Sequence, residues 1–285
     1  MSSTIPWKDF TVLSFDIYGT LIDWESGIYN NLTSSPLGPY LPSTRKEVLE
    51  NFENYERAVQ SETPTLKQAQ IQERCLQRYA KDLNVVPSKL SEEQVNSAAK
   101  AFGDSLGTWP AFPDSVKATK RLGKHYKLVP LSNIDRGSFS QTNAGPLEGL
   151  HFDAIYTAED VGSYKPDPRN FEYLLEHIKT DFGASKEQLC HAAQSLFHDH
   201  APAKKFGLTS VWVDRKGVMG ERPADGKEGG QEYGYKLKVE SLAELADIVD
   251  KAWADGGSGD EVPPEVKGEG QDPAVVVKGS QQDAQ

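Results

Sequence analysis

The sequence has few cysteines and no long apolar run. Its 285 residues include two cysteines, Cys75 and Cys190, which lie far apart and show no metal-ligand spacing. A disulfide framework or a cysteine-based zinc site is therefore excluded as an organising feature. No stretch reaches the ~18 consecutive apolar residues of a membrane span, and the first residues lack the basic and apolar regions of a secretion signal. We expect a soluble, cytoplasmic protein without a membrane partner.

Positive charge is also scarce. The chain has 31 lysines and arginines against 42 aspartates and glutamates, and its formal net charge is −11. Attraction to phosphate groups supplies most of the sequence-independent binding to nucleic acids, so we expect no nucleic-acid partner. A small anionic substrate remains compatible, because it needs only a local positive potential. The chain is long enough for one large domain and a smaller one, and homodimer formation is left open.

One carboxylate stands at the end of a short apolar run. Val12-Leu13-Ser14-Phe15 predicts a buried parallel strand, and Asp16 follows it directly, before a glycine-containing turn. Ligands of open α/β sheets bind at the carboxyl ends of such strands. Asp16 is therefore a candidate nucleophile, the alternative being an aspartate that only shapes the turn. Two residues later, where a second carboxylate would supply a general acid, the chain has Tyr18.

Three more polar motifs follow in the same order as in a known superfamily. They are Leu131-Ser132-Asn133, Tyr164-Lys165-Pro166-Asp167 and Phe197-His198-Asp199. With the first motif, they resemble the haloacid dehalogenase superfamily over about residues 10 to 250. The form DxYGTL resembles the L-2-haloacid dehalogenase type, since the phosphatases of the superfamily have DxD.

The resemblance implies a role for each motif residue. Asp16 would be the nucleophile, Thr20 would hold one of its oxygens, and Lys165 would keep it ionised and oriented. Asp199 would orient the water that hydrolyses a covalent ester, or hold Lys165. For Thr20 and Asp199 the alternative role is a helix N-cap.

Substrate contacts are expected from three further residues. These are Tyr18, Ser132 and Asn133, and the last two are also favourable N-caps for a helix whose N–H groups would attract a carboxylate. In the superfamily's dehalogenases a cap arginine receives the halide, and here Arg57 is its candidate. His198 and His200 are candidate bases, whereas the other four histidines, His191 included, are expected to be structural or solvated.

The distribution of patterns along the chain predicts two domains. After Trp24 the strand-like runs stop, and helix-start signals appear at Thr44-x-x-Glu47 and Ser91-x-x-Gln94. Leu66 to Leu83 has apolar residues at helical spacing. We predict a helical cap over residues 25–111, inserted between the core segments 1–24 and 112–253. Four aromatic residues are expected to line the pocket beneath that cap: Trp24, Tyr55, Trp109 and Phe112.

The core segments alternate strands and helices, which predicts an α/β fold with a doubly wound parallel sheet. Besides the first strand, we predict strands at Lys127–Leu131, Phe152–Tyr156, Leu189–Ala193 and Ser210–Val213, and a last helix at Glu240–Trp253. Low aromatic content and many Gly, Pro and charged residues predict a mobile loop over 216–234 and a disordered tail over 254–285.

The presence of Tyr18 favours carbon–halogen chemistry. A halide leaves without a proton, whereas a phosphate ester expels an alkoxide that needs a general acid, typically worth ~10²–10⁴-fold in rate. The sequence therefore predicts a cofactor-free hydrolase of small 2-haloalkanoic acids. The alternatives are a phosphatase that binds Mg²⁺ through Asp16, the Tyr18 carbonyl and Asp199, an epoxy-acid hydrolase, or a binding protein that has lost turnover.

Overall fold

A six-stranded parallel sheet forms the centre of the protein in the computed structural model, which describes residues 5–63, 66–215 and 232–255. The strand order is β3-β2-β1-β4-β5-β6, so that β1 lies between β2 and β4. This architecture confirms the predicted α/β fold with a doubly wound sheet. The strands are β1 Val12–Phe15, β2 Lys127–Ser132, β3 Tyr156–Thr157, β4 Leu189–Ala193, β5 Thr209–Val213 and β6 Leu237–Val239.

Strand β3 is shorter than predicted and begins four residues later. The predicted strand Phe152–Tyr156 contains Asp153, whose carboxylate accepts a hydrogen bond from the Leu128 N–H at 2.9 Å. In a regular parallel sheet that N–H would donate to a backbone carbonyl of the neighbouring strand. Lys127 donates a second hydrogen bond to the same carboxylate at 2.8 Å. The Asp153 N–H also donates to the Leu128 carbonyl at 2.9 Å, so Asp153 makes a local contact with β2, and regular pairing starts only at Tyr156.

Four helices follow β1 in sequence, ahead of the helix that leads into β2. Three of the four begin where a polar side chain accepts a free backbone N–H: Asp23 accepts from Ser26 N at 3.0 Å, Thr44 accepts from Glu47 N at 3.3 Å, and Ser91 with Gln94 forms the predicted reciprocal capping box. Phe52 and Phe102 pack edge to face at 5.4 Å between two of these helices. The helices are α1 Trp24–Ser34, α2 Arg45–Glu62, α3 Gln68–Asp82 and α4 Glu92–Asp104.

The remaining helices lie between strands, except the last, which follows β6. They are α5 Ser115–Leu122, α6 Arg136–Ala144, α7 Ala158–Val161, α8 Arg169–Phe182, α9 Ala201–Lys205 and α10 Leu242–Ala254. Between β4 and α9 the segment Leu196–His200 forms a single π-helical turn. The last helix, predicted at Glu240–Trp253, begins two residues later, at Leu242. Most of the predicted loop and nearly all of the predicted tail lie outside the described residues.

One hydrophobic cluster joins the sheet to helices α1–α4. It contains buried side chains of β1 and β4 together with buried side chains of the four helices, such as Phe52, Ile71 and Phe102. A smaller cluster around Phe171 and Leu174 lies between the sheet and α8. Within the described part of the chain, no helix is long and apolar enough to cross a membrane.

Candidate active site

The two carboxylates of the site follow neighbouring strands at the centre of the sheet. Asp16 comes directly after β1, and Asp199 lies in the π-helical turn after β4, which pairs with β1. The sheet order reverses direction between these two strands, and such a switch point leaves a crevice at the carboxyl ends. The fold therefore brings together two acids that are far apart in sequence.

A tight turn fixes Asp16 at the end of β1. Gly19 has a φ of +97°, a conformation that L side chains rarely adopt, and its N–H donates to the Ile22 carbonyl at 2.8 Å. A Cβ atom here would lie 3.3 Å from both the Gln194 and Trp24 side chains. Glycine is therefore required on two grounds, backbone conformation and space.

Thr20 connects this turn to the Asp16 carboxylate. Its hydroxyl donates to Asp16 Oδ2 at 3.0 Å and accepts from the Gln194 N–H at 2.9 Å. The Thr20 carbonyl accepts two hydrogen bonds from the buried Arg215 guanidinium, at 3.0 and 2.7 Å, and Arg215 also pairs with Asp114 at 2.6 Å. Sequence reasoning missed Arg215, because nothing in its local pattern shows that the residue after β5 reaches the β1 turn.

Lys165 lies between the two carboxylates. Its ammonium donates to Asp16 Oδ1 at 2.8 Å, to Asp199 Oδ1 at 2.7 Å and to the Leu131 carbonyl at 2.8 Å. All three donors of the ammonium are thus occupied, and the side chain is buried. The sequence-predicted residues Asp16, Thr20, Lys165 and Asp199 therefore form one connected group.

Burial and charge act in opposite directions on this group. Burial raises the pKa of Asp16 above its ordinary value, Lys165 opposes that effect, and the Asp199 charge adds to it. Burial also disfavours ionised Asp199, but Lys165 and His191 together hold the pKa of Asp199 below its usual range. The lysine lies between two anions, which outweigh burial and raise the pKa of Lys165. Asp199 is therefore the more firmly ionised of the two carboxylates.

Asn133 and Ser132 differ from the predicted helix cap. Helix α6 begins later, and its N-cap is Asp135, which accepts from Ser138 N at 3.1 Å. The expectation that Ser132 and Asn133 cap this helix is wrong, because Ser132 is still the last residue of β2. The Asn133 amide instead accepts from Lys165 N at 2.6 Å and donates to Lys165 O at 3.0 Å, so it fixes the lysine backbone.

The Tyr18 hydroxyl is engaged with a neighbouring side chain. It lies 2.7 Å from Thr142 Oγ1, and the tyrosine ring packs edge to face on Trp109 with centroids 6.0 Å apart. Burial is the main cause that raises the pKa of Tyr18 above its ordinary value. A phenol that gives up its proton less readily than in water is a poor general acid at neutral pH.

A cleft of about 1500 Å³ lies over the carboxylates. Core residues including Ser132, Asn133 and Tyr18 form its floor, and helices α1, α2 and α3 contribute to its walls. Trp24 and Trp109 line it as expected. The expectation is wrong for Tyr55, which donates to Asp82 at 2.8 Å, and for Phe112, which lies under the Arg215 guanidinium.

The cations of the cleft walls lie opposite acids. Arg57, the halide candidate, lines the cleft and pairs with Glu53 at 2.9 Å. Arg45 and Lys46 also line it, with Glu25 and Glu50 as neighbours at 3.9 and 3.6 Å. These three side chains are the arginine and lysine residues of α2 that line the cleft.

The histidines next to Asp199 differ in their surroundings. His200 is buried, lies 3.0 Å from the Ala193 carbonyl and 2.9 Å from Ser210 Oγ, and burial lowers its pKa to about 4. His198 lines the cleft and lies 3.1 Å from Ser195 Oγ. His191, expected to be structural or solvated, lies 3.0 Å from Asp199 Oδ1. The signal that could have found it is a polar side chain inside a strand that is otherwise apolar.

A magnesium ion would have to share its ligands with Lys165. The oxygens predicted for it are those of Asp16, the Tyr18 carbonyl and Asp199, and Mg²⁺ needs several oxygen ligands in octahedral geometry. The ammonium of Lys165 lies within 2.8 Å of Oδ1 of both carboxylates. No group of three or more His, Cys, Asp or Glu side chains within residues 5–63, 66–215 and 232–255 is arranged to hold a metal ion. Lys165 therefore occupies one oxygen of each carboxylate.

Comparison with known proteins agrees with this geometry. Residues 10–191 match the family model of haloacid dehalogenase-like hydrolases, and the chain belongs to this family. Among curated proteins it is similar to (S)-2-haloacid dehalogenase 4A of Burkholderia cepacia, with 25% identity over 83% of this chain and 94% of that protein. It is also similar to a phosphoserine phosphatase of Thermus thermophilus, with 28% identity over 54% of this chain and 57% of the relative.

A solved structure shares the fold. The L-2-haloacid dehalogenase of Xanthobacter autotrophicus, with chloropropionic acid covalently bound, superposes with a TM-score of 0.60. The two sequences are 17% identical, and the match covers 85% of this chain and 98% of the other. At this identity the likeness establishes the fold alone.

Proposed function

We propose that this hydrolase removes the halogen from small 2-haloalkanoic acids through an ester on Asp16. In the first step an Asp16 oxygen forms a bond to carbon 2 of the substrate, and the carbon–halogen bond breaks, the halide leaving with the bonding electrons. In the second step water attacks the ester carbonyl, which releases a 2-hydroxy acid and restores the carboxylate.

Tyr18 carries this proposal. The residue two positions after the nucleophile is a buried phenol whose hydroxyl is engaged with Thr142. A leaving group that needs a proton would gain little from it, whereas a halide needs none. The similarity to a 2-haloacid dehalogenase, which covers 94% of that relative, supports the same chemistry.

The surrounding residues suit the two steps. Lys165 keeps Asp16 ionised against the effect of burial, and Thr20 fixes the other oxygen so that one lone pair faces the substrate. Helices α1–α4 act as the cap, excluding water from the substitution and providing Arg45, Lys46 and Arg57 for the substrate carboxylate or the halide. Ser132 and Tyr18 face the substrate, and Asn133 holds the lysine.

A substrate panel tests the proposal. Purified enzyme is given 2-chloropropionate, an epoxy acid and phosphoserine, each with and without EDTA, and chloride, diol and phosphate release are measured. We expect chloride release that EDTA does not change. The variant Asp16→Asn, which keeps the size of the side chain and removes the nucleophile, should lower that rate by at least ~10³-fold.

Two results would contradict the proposal. Phosphate release that EDTA abolishes would favour the phosphatase seen among the relatives. Chloride release that survives Asp16→Asn would show that water attacks the substrate directly. In that case, turnover of the wild-type enzyme in H₂¹⁸O would leave the Asp16 carboxylate without ¹⁸O.

A further inference from the structure

A serine–histidine pair lies beneath Asp199, inside the sheet. Ser14 on β1 and His191 on β4 are partners in the strand register, and both are fully buried. Buried polar groups without hydrogen bonds cost free energy, so two of them in apolar strands call for a reason. Ser14 Oγ lies 2.7 Å from His191 Nδ1, and His191 Nε2 lies 3.0 Å from Asp199 Oδ1.

The chemistry of the acceptor fixes the direction of these hydrogen bonds. An ionised carboxylate only accepts, so His191 Nε2–H donates to Asp199 Oδ1. In the neutral imidazole Nδ1 is then the acceptor, and the Ser14 hydroxyl donates to it. The edge-to-face contact with Phe171, at 5.4 Å between centroids, restricts rotation of the imidazole ring.

The two oxygens of Asp199 are therefore unequal. Oδ1 accepts from both Lys165 and His191, at 2.7 and 3.0 Å. Oδ2 is buried and has no hydrogen-bond partner among the described residues, although Asp199 lines the cleft. A buried carboxylate oxygen without a hydrogen bond costs free energy, so we expect Oδ2 to accept a hydrogen bond from a bound group during function. With Lys165 alone on Oδ1, the carboxylate could turn about the Cβ–Cγ bond, and a second donor prevents this.

We propose that His191, oriented by Ser14, is a positioning residue that holds Asp199 Oδ1 and thereby aims Oδ2 at the water that hydrolyses the Asp16 ester. This inference rests on the proposed function, because it assigns a residue to the second of its two steps. In that step the water oxygen bonds to the ester carbonyl carbon, and one water proton moves to Asp199 Oδ2. The bond between that carbon and the alcohol oxygen then breaks, and the alcohol oxygen takes the proton from Asp199. Asp16 is left as a carboxylic acid, which releases the second water proton to solvent.

The division into two steps makes the role of His191 measurable. Ester formation needs Asp16 and a leaving halide, whereas ester hydrolysis also needs an aimed Asp199. Misplacement of a catalytic group by about 1 Å can cost ~10²-fold in rate. Loss of His191 should therefore slow ester hydrolysis far more than ester formation, so that the ester accumulates.

The experiment is rapid-quench mass spectrometry of the Asp16 peptide during turnover of 2-chloropropionate. For His191→Leu we expect ester hydrolysis to slow by about 10²-fold while ester formation changes less than about threefold. In His191→Gln the side-chain amide can still donate to Oδ1, so this variant should recover at least ~10-fold of the loss. Cys190→Ala, a buried substitution at the neighbouring position of β4, is the control and should behave as wild type.

Ser14→Ala provides a second variant that leaves the imidazole in place. Without the serine hydroxyl Nδ1 loses its hydrogen-bond partner and the ring is held less firmly, so ester hydrolysis alone should slow several-fold. Equal slowing of both steps in the His191 variants, or hydrolysis at the wild-type rate in His191→Leu, would overturn the inference. If wild-type enzyme forms no ester with 2-chloropropionate, the proposed function itself fails, and the ester signal separates that result from a failure of His191.

Discussion

Two buried histidines near the end of β4 show how surroundings decide what one residue type does. His191 Nε2–H donates to the Asp199 carboxylate at 3.0 Å. His200 has only neutral partners, the Ala193 carbonyl and the Ser210 hydroxyl, and burial lowers its pKa to about 4. His191 therefore contacts the candidate site, whereas His200 affects the folding equilibrium.

His200 should make the protein less stable in mild acid. Its pKa falls from 6.5 to about 4 on folding, so between these values only the unfolded chain takes up the proton. The stabilisation is complete above pH 6.5, falls as the pH decreases, and is lost below about 4. We expect His200 to contribute about 3 kcal/mol to this loss.

The measurement is urea unfolding of wild type and His200→Gln between pH 4 and 7. In His200→Gln the free energy of unfolding should depend less steeply on pH over that interval. His151→Gln removes an exposed histidine and is the control, with a profile that should overlay that of wild type. An unchanged slope in His200→Gln would contradict the assignment.

At the scale of elements, helix α1 meets the site through Trp109. Gly27 on α1 has no side chain, and the Trp109 ring fills that space: a Cβ atom on Gly27 would lie 2.3 Å from its Cγ. Trp109 in turn lines the cleft and packs on Tyr18. The position of one indole therefore links the helix to the shape of the pocket.

Gly27→Ala should move this indole and change which substrate is preferred. Overpacking of this kind costs about 1–3 kcal/mol of stability, partly offset by the better helix propensity of alanine. We expect the ratio of kcat/KM for 2-chloropropionate over 2-chlorobutyrate to change several-fold, because one methylene in an apolar pocket is worth ~10-fold or more. Asn30→Ala, on the exposed side of α1, is the control. An unchanged ratio would show that Trp109 does not shape the pocket.

Sequence patterns predicted most elements but not the contacts made between them. Strand β1, which precedes Asp16, was predictable because it is a short and mostly apolar run, and all four of its residues are buried. The helix starts after Ser91 and Thr44 were predictable because each cap is formed by residues close in sequence. The start of β3 was not, since Asp153 contacts β2 through its carboxylate as well as its backbone N–H, and regular pairing begins only at Tyr156.

The same limit applies to the site. Asp16, Thr20, Lys165 and Asp199 were predictable from their motifs, and the structure brings them together, although their catalytic roles stay predictions. His191 carries no motif, and its partner Ser14 lies on another strand, so their contact depends on the register of β1 against β4. Arg215 reaches the β1 turn only through the tertiary fold.

At the scale of the whole molecule, the sheet and helices α1–α4 share one hydrophobic cluster. Cys75 on α3 and Cys190 on β4 both belong to it, and neither thiol is exposed by more than 1%. Burial raises the pKa of both thiols, that of Cys190 to about 12, so the reactive thiolate is scarce in the folded protein. The two cysteines thus report on two layers of one core.

Thiol labelling should therefore show a single unfolding event. We expect that neither cysteine reacts with a disulfide reagent in the native protein, and that both become reactive over the same range of urea concentration. The variants Cys75→Ala and Cys190→Ala allow each thiol to be followed alone. Labelling of Cys75 at clearly lower urea than Cys190 would contradict this and would show that the helical layer opens by itself.

The central position of β1 has a consequence for synthesis of the chain. Val12 pairs with Lys127 on one side and Leu189 on the other, so the ribosome releases β1 long before either neighbour exists. At ordinary elongation rates the interval before Leu189 is made is roughly ten to thirty seconds. During that time the apolar nascent strand has no partner strand, and it exposes the kind of hydrophobic surface that chaperones bind. Asp16 consequently exists as an ordinary aspartate until late in translation, when Lys165 and Asp199 join it.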